Sequence, residues 1–98
     1  MIDYEAIITK YCAGNADLQQ ILLTHSRQVA DRALAILRLH PEWVERGEVD
    51  PVFVEEAAML HDIGVVLCDA PKIYCKGTHA YIEHGYLGAE ILRQEGLP

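Results

Sequence analysis

Four side chains of the sequence could bind a metal ion or move a proton: His25, the adjacent pair His61 and Asp62, and His84. His61 and Asp62 end the most apolar segment of the chain, where a neighbouring imidazole and carboxylate are costly to desolvate unless something satisfies them. A divalent metal ion would satisfy both, because imidazole and carboxylate are good ligands for such ions. The alternative is that Asp62 only accepts a hydrogen bond from His61 or caps the next turn.

The other two histidines occupy helical segments. His25 lies on the apolar stripe of a long helix, so we expect its ring to point inward. There it is either a ligand or a core histidine hydrogen-bonded to a backbone carbonyl. His84 lies one turn into the last helix, followed by Gly85 and Gly88. Glycines inside a helix cost about 1 kcal/mol each relative to alanine, so we expect this helix to approach another backbone or a ligand closely.

The elements that must position these side chains are helices. Apolar spacing, capping residues, prolines and glycines predict helices over residues 3–11, from 15 or 17 to about 40, 50–64 and 81–95. Residues 65–80 are predicted to be a loop with one extended stretch at 65–67, and no alternating run is long enough for a sheet. We therefore predict an all-α bundle of four or five helices.

These residues resemble the signature of a known family. His25 followed by Leu60-His61-Asp62-Ile63-Gly64 is similar to the His…His-Asp pattern of the HD-domain superfamily of metal-dependent phosphohydrolases, in its HDIG form. The segment from His84 to Leu92 resembles the His-x-x-x-Gly-x-x-Ile-Leu helix of HD-GYP-like and other two-metal members. The resemblance extends from about residue 17 to residue 95 and implies an HD-domain-like helical bundle.

The resemblance also implies a site. His25, His61 and Asp62 would hold one divalent ion (Mn, Fe, Ni, Co, Zn or Mg), and His84 would belong to a second ion or contact the phosphate. Asp62 would be the catalytic and bridging carboxylate. Such an ion activates water near neutral pH and polarises the phosphoryl group. The expected activity is hydrolysis of a small phosphate ester or a nucleotide. The alternative is a non-catalytic HD module that binds metal or another protein.

The sequence departs from the family pattern at two places. The family completes its first metal site with an Asp from a later helix, whereas Asp69, in the predicted loop, is the only Asp after Asp62. We therefore expect residues 1–98 to be a single HD domain truncated at its C-terminal end, with little or no activity. Val65 stands where many HD-GYP members have Lys, and the Gly-Tyr-Pro triplet is absent, which disfavours a cyclic-dinucleotide phosphodiesterase.

Lys72 and Lys76 form a candidate substrate-binding patch. The stretch 70–82 contains both lysines and no acidic residue, in a chain whose net charge is -7. Such a local positive patch could steer and hold a phosphate. The alternative is two solvated surface lysines.

Composition limits the remaining classes. With 15 acidic and 8 basic residues, the chain is not expected to make a large contact with nucleic acid. No segment approaches the roughly 20 apolar residues of a membrane span, and the first residues lack a basic signal-peptide region. We expect a cytoplasmic protein without membrane contact. Apolar helix faces left uncovered predict a symmetric homodimer through the third and last helices.

Overall fold

The computed structural model describes residues 2–97, and within them the chain is predominantly helical, which confirms the all-α class. The α-helices are α1 (Tyr4–Tyr11), α2 (Ala16–Leu39), α3 (Pro41–Glu45), α4 (Pro51–Leu60) and α5 (His84–Gln94). Three short 3₁₀ helices lie at Ile63–Leu67, Pro71–Ile73 and Tyr81–Glu83, and two strands at β1 (Asp69–Ala70) and β2 (Cys75–Lys76).

Side-chain caps set the starts of the first, second and fourth helices. Asp3 accepts a hydrogen bond from the backbone N–H of Ala6 at 3.0 Å, and Asp50 accepts one from Val52 at 3.0 Å. Asn15, not Asp17, is the N-cap of α2, because its Oδ1 accepts from the N–H of Leu18 at 3.2 Å. These caps satisfy N–H groups that have no partner inside the helix.

The buried face of α2 runs one position away from His25. Its fully buried members recur at helical spacing and are Leu18, Leu22, Ser26, Ala30 and Leu37. This face packs against α4, whose Met59 and Leu60 are buried. His25 lies beside the buried row, and 52% of its side chain is exposed. The prediction that its ring points into the core is therefore wrong: the ring faces a cleft at the edge of the α2–α4 packing.

The fourth helix ends earlier than the sequence pattern predicts. It stops at Leu60, with His61 as its C-cap, and Gly64 lies inside the following 3₁₀ helix instead of ending α4. The last helix also begins later than predicted, because residues 81–83 form a 3₁₀ turn. His84 is consequently the first residue of α5 and does not lie one turn into it.

The segment predicted to be a loop contains a small hairpin. Strands β1 and β2 pair antiparallel, with Asp69 opposite Lys76 and Ala70 opposite Cys75. Strands of two residues are too short to show an alternating pattern, which explains why the sequence did not indicate a sheet. Asn15 ties the hairpin to the start of α2, since its Nδ2 donates to the backbone carbonyl of Tyr74 at 2.7 Å.

The core lies between α1, α2, α4, α5 and the 3₁₀ helix that follows α4. It includes Ile8, Ile63 and Ile91, and the free thiols of Cys12 and Cys75 are buried with them. Among residues 2–97, no helix combines the length and the apolar character that a membrane crossing requires.

Candidate metal centre

Three parts of the chain bring the imidazoles of His25, His61 and His84 to the carboxylate of Asp62. His25 comes from the middle of α2, His61 and Asp62 directly follow α4, and His84 opens α5. The Nε2 atoms of His25 and His61 lie 3.1 Å and 3.0 Å from Asp62 Oδ2. His84 Nε2 lies 3.5 Å from the other carboxylate oxygen, Oδ1. In the part of the chain that is described, His25, His61 and Asp62 form the one set of ligand atoms within 4.8 Å of one another.

Backbone carbonyls fix the orientation of two imidazole rings. His61 Nδ1 lies 2.6 Å from the carbonyl of Ala58, and His84 Nδ1 lies 2.8 Å from the carbonyl of Tyr81. A carbonyl oxygen only accepts, so both Nδ1 atoms must carry the hydrogen. The Nε2 atom of each ring is then directed at the carboxylate.

This arrangement fits a bound cation. An Nε2 without a hydrogen and a carboxylate oxygen are both acceptors, so their separations of 3.0 Å and 3.5 Å call for a positive charge near both, either a metal ion or the proton of an imidazolium. A ligating histidine typically donates its other ring N–H to a carbonyl or carboxylate, which is the pattern seen at His61 and His84. Mixed imidazole and carboxylate donors suit divalent transition metals.

The carboxylate lies below a rim of more exposed rings. Asp62 has 18% of its side chain exposed, whereas His25 is about half exposed. His61 and His84 are intermediate between them. The cluster is therefore open on the side of His25, so a small ligand could approach the carboxylate from solvent.

A close contact between two glycines holds α5 at the cluster. A Cβ atom on Gly64 would overlap the backbone carbonyl of His84 and would also collide with the backbone N of Gly88. In return, a Cβ on Gly88 would lie 3.2 Å from the backbone N of Gly64. The expected close approach of α5 thus depends on Gly64 and Gly88. Gly85 has open space around it, so the role predicted for that glycine is wrong.

An apolar cleft of about 270 Å³ opens beside the cluster. His25 and Asp62 form its polar edge, and the remaining lining residues are Leu18, Ile21, Leu22, Val65, Ile73 and Tyr81. The ring of Tyr81 stacks on that of His84, with centroids 4.7 Å apart. The sequence did not indicate that Ile73, in the predicted loop, contributes to this wall.

Lys72 and Lys76 lie on the hairpin and are exposed. Neither lines the cleft, and Lys76 is paired in register with Asp69 across the two strands. The sequence also missed the carbonyls of Ala58 and Tyr81, since a backbone oxygen leaves no signal in residue type. Gly64 could have been found, because it closes the conspicuous pattern His61-Asp62-Ile63-Gly64.

Comparison with known proteins identifies the family. The sequence model of the HD domain matches residues 22–98, a range that contains His25, His61, Asp62 and His84. Comparisons with curated proteins and with solved structures find no significant match. Members of the HD superfamily are metal-dependent phosphohydrolases that bind divalent ions. The match covers well over half of the chain, and the chain belongs to the HD-domain family.

Proposed function

We propose that this chain is an HDIG-type, metal-dependent phosphohydrolase that acts on a small phosphate ester or a nucleotide in the cytoplasm. His25, His61 and Asp62 are its ligands for a divalent ion. One observation carries the proposal: two imidazole rings, locked by backbone carbonyls, direct their Nε2 atoms at the carboxylate of Asp62, and His25 approaches the same carboxylate.

The two oxygens of Asp62 support a bridging role. Oδ2 faces His25 and His61, whereas Oδ1 faces His84. Each oxygen thus has its own imidazole partners, as a carboxylate shared between two cation positions would require. His84 accordingly serves a second ion or contacts the phosphate. A bound divalent ion supplies Lewis acidity toward water and toward the phosphoryl oxygen.

The protein's own residues provide positioning. The Ala58 and Tyr81 carbonyls hold their imidazoles before any ligand arrives, so little side-chain freedom is lost on binding. Lys72 and Lys76 are proposed to attract the phosphate from the hairpin, in a chain that is otherwise acidic. That attraction would act at long range, because the lysines are outside the cleft lining.

A non-catalytic, metal-binding HD module is the second candidate. The sequence has no Asp after Asp69, and Asp69 belongs to β1, where it pairs with Lys76 and not with the cluster. An ion held by His25, His61 and Asp62 alone has three protein ligands, so we expect slow turnover.

A homodimer through α4 and α5 stays a prediction, as does a single HD domain over residues 1–98. Phe53 of α4 and Tyr86 of α5 are large exposed side chains that such a dimer would cover. Light scattering at micromolar concentration tests it: a mass of twice 11.0 kDa supports the dimer, and a stable monomer contradicts it.

The function is tested by metal binding and hydrolysis in one set of variants. We expect the wild-type chain to bind Mn²⁺ and to hydrolyse p-nitrophenyl phosphate slowly. Asp62→Ala should abolish hydrolysis and weaken Mn²⁺ binding, whereas Asp69→Ala, the matched control, should leave both unchanged. Mn²⁺ binding without hydrolysis of any phosphate ester would favour the non-catalytic module. Failure of the wild-type chain to bind Mn²⁺, Ni²⁺, Co²⁺ or Zn²⁺ would overturn the proposal.

A further inference from the structure

The cleft beside Asp62 is polar at one edge and apolar everywhere else. Six of its eight lining residues are Leu18, Ile21, Leu22, Val65, Ile73 and Tyr81, and the other two are His25 and Asp62. No lysine or arginine belongs to this lining. A ligand that fills the cleft would therefore meet a carboxylate or an imidazole only at the end where the cluster lies, and Tyr81 is the only other lining residue with a polar side-chain atom.

The size of the cleft suits a small group. Its volume of about 270 Å³ lies just below the range of roughly 300–1,000 Å³ that is typical of ligand pockets. A single ring or short branched chain fits such a space better than an extended nucleotide or a sugar polyphosphate. Additional phosphate groups in the cleft would be desolvated without a cationic partner, which is unfavourable.

Contacts with the core and with α2 hold the apolar wall in place. Leu18, Leu22 and Val65 are each at least 95% buried, so they belong to the core as well as to the cleft. Ile73 is carried by the hairpin that Asn15 ties to α2. The wall is thus preformed, and binding a ring against it costs little reorganisation.

We propose that this cleft is the subsite for the uncharged part of the substrate, and that the site selects phosphate monoesters of small aromatic or other apolar alcohols. The inference rests on the proposed function and adds a substrate class to it. The phosphate lies at the His25 and Asp62 edge, and the ring lies between α2 and the hairpin. Burying the ring removes apolar surface from water, which favours binding roughly in proportion to the area buried.

Phenylphosphonate and methylphosphonate, which carry no hydrolysable ester, provide the test. Titrated calorimetrically into the Mn²⁺-loaded chain, phenylphosphonate should bind about tenfold more tightly than methylphosphonate, a difference of about 1.4 kcal/mol. Equal affinities would overturn the inference while leaving the proposed function intact. Binding of neither compound to a chain that does bind Mn²⁺ would overturn it as well.

Variants locate the ring. Ile21→Ala shortens the cleft wall and should reduce the preference to about threefold. Ile36→Ala, on the same helix but about half exposed and outside the lining, is the control and should leave the preference at about tenfold. Ile73→Ala provides a second test from the opposite wall, in case Ile21→Ala does not fold. Equal preferences in all three variants would place the ring elsewhere and overturn the inference.

A metal-free readout separates the inference from the proposed function. Benzyl alcohol, which has no phosphate, should shift the methyl resonances of Ile21, Val65 and Ile73 in the NMR spectrum of the metal-free chain. These shifts should persist even if no divalent ion binds, in which case the proposed function fails and the cleft remains a ring-binding site. Shifts confined to methyl groups outside the lining would contradict the subsite.

Discussion

The two halves of the candidate site are built in different ways. One half is the pair of regular helices α2 and α4, which pack through a long row of apolar side chains and contribute His25. The other half is the segment 61–83, made of 3₁₀ turns and a short hairpin, which contributes Asp62. Individual contacts hold this second half, such as the Asn15 amide on the Tyr74 carbonyl and the approach of Gly64 to α5. A periodic interface can absorb single substitutions, whereas a contact that depends on one atom cannot.

The largest effect is expected at Gly64. In Gly64→Ala the new methyl group would collide with the backbone of His84 and Gly88, and backbone atoms cannot move aside as a side chain can. Overpacking of this kind costs about 3 kcal/mol in the free energy of unfolding. Urea denaturation measures the loss, and Mn²⁺ titration should show weaker binding because His84 is displaced.

Gly85→Ala is the matched control. No atom lies within 4 Å of a Cβ at Gly85, so the substitution should be neutral or stabilise α5 by up to about 1 kcal/mol. If Gly64→Ala and Gly85→Ala had equal stability, the close packing of α5 on the segment 61–83 would be wrong.

An intermediate effect is expected at Asn15, which serves both halves. Asn15→Ala removes the cap on Leu18 as well as the donor to the Tyr74 carbonyl, and loss of an N-cap costs about 1 kcal/mol. Asn15→Asp keeps an oxygen for the cap but loses the amide donor. Hydrogen exchange should therefore be faster in the hairpin of both variants, and faster at the start of α2 in Asn15→Ala alone. An unchanged rate of hydrogen exchange in the hairpin of Asn15→Asp would show that the hydrogen bond from Asn15 to the Tyr74 carbonyl does not hold the hairpin.

A smaller effect is expected at Tyr4, on the helical half. Its hydroxyl donates to Glu55 Oε1 at 2.7 Å, and this bond, followed by that of Arg27, holds the pKa of Glu55 below its ordinary value of 4.5. Tyr4→Phe should cost about 0.5 kcal/mol in the free energy of unfolding at neutral pH, because the Glu55 side chain is 33% exposed. Because a lowered carboxyl pKa gives stability above the unfolded pKa and loses it as pH falls, the difference from wild type should shrink below pH 4.5.

Tyr86→Phe is the control for this pH dependence. Tyr86 is 71% exposed, so the loss of its hydroxyl should not change how the free energy of unfolding falls at acid pH. A Tyr4→Phe variant whose stability ran parallel to that of wild type from pH 7 to pH 3 would show that Glu55 does not depend on Tyr4.

The same contrast explains what the sequence could predict. Helical periodicity and caps such as Asp3 and Asp50 are local signals, and they located α1, α2 and α4 to within a few residues. The hairpin and the early end of α4 depend on partners far along the chain, such as Gly88 for Gly64, which periodicity does not encode. His25 was placed on the correct helix but on the wrong face, because Ser26 and Ala30 occupy buried positions that more apolar residues would be expected to take.

The central claim is that His25 from the helical half and Asp62 from the other half hold one ion, and Mn²⁺ affinity measured by calorimetry tests it most directly. The matched variants are His25→Ala and His79→Ala, since the two imidazoles are similarly exposed, at 52% and 49% of the side chain. His79 pairs with Glu83 and lies outside the ligand set. We predict that His25→Ala weakens Mn²⁺ binding at least tenfold, about 1.4 kcal/mol, and that His79→Ala binds as wild type does. Equal affinity of the His25→Ala and wild-type chains would contradict it.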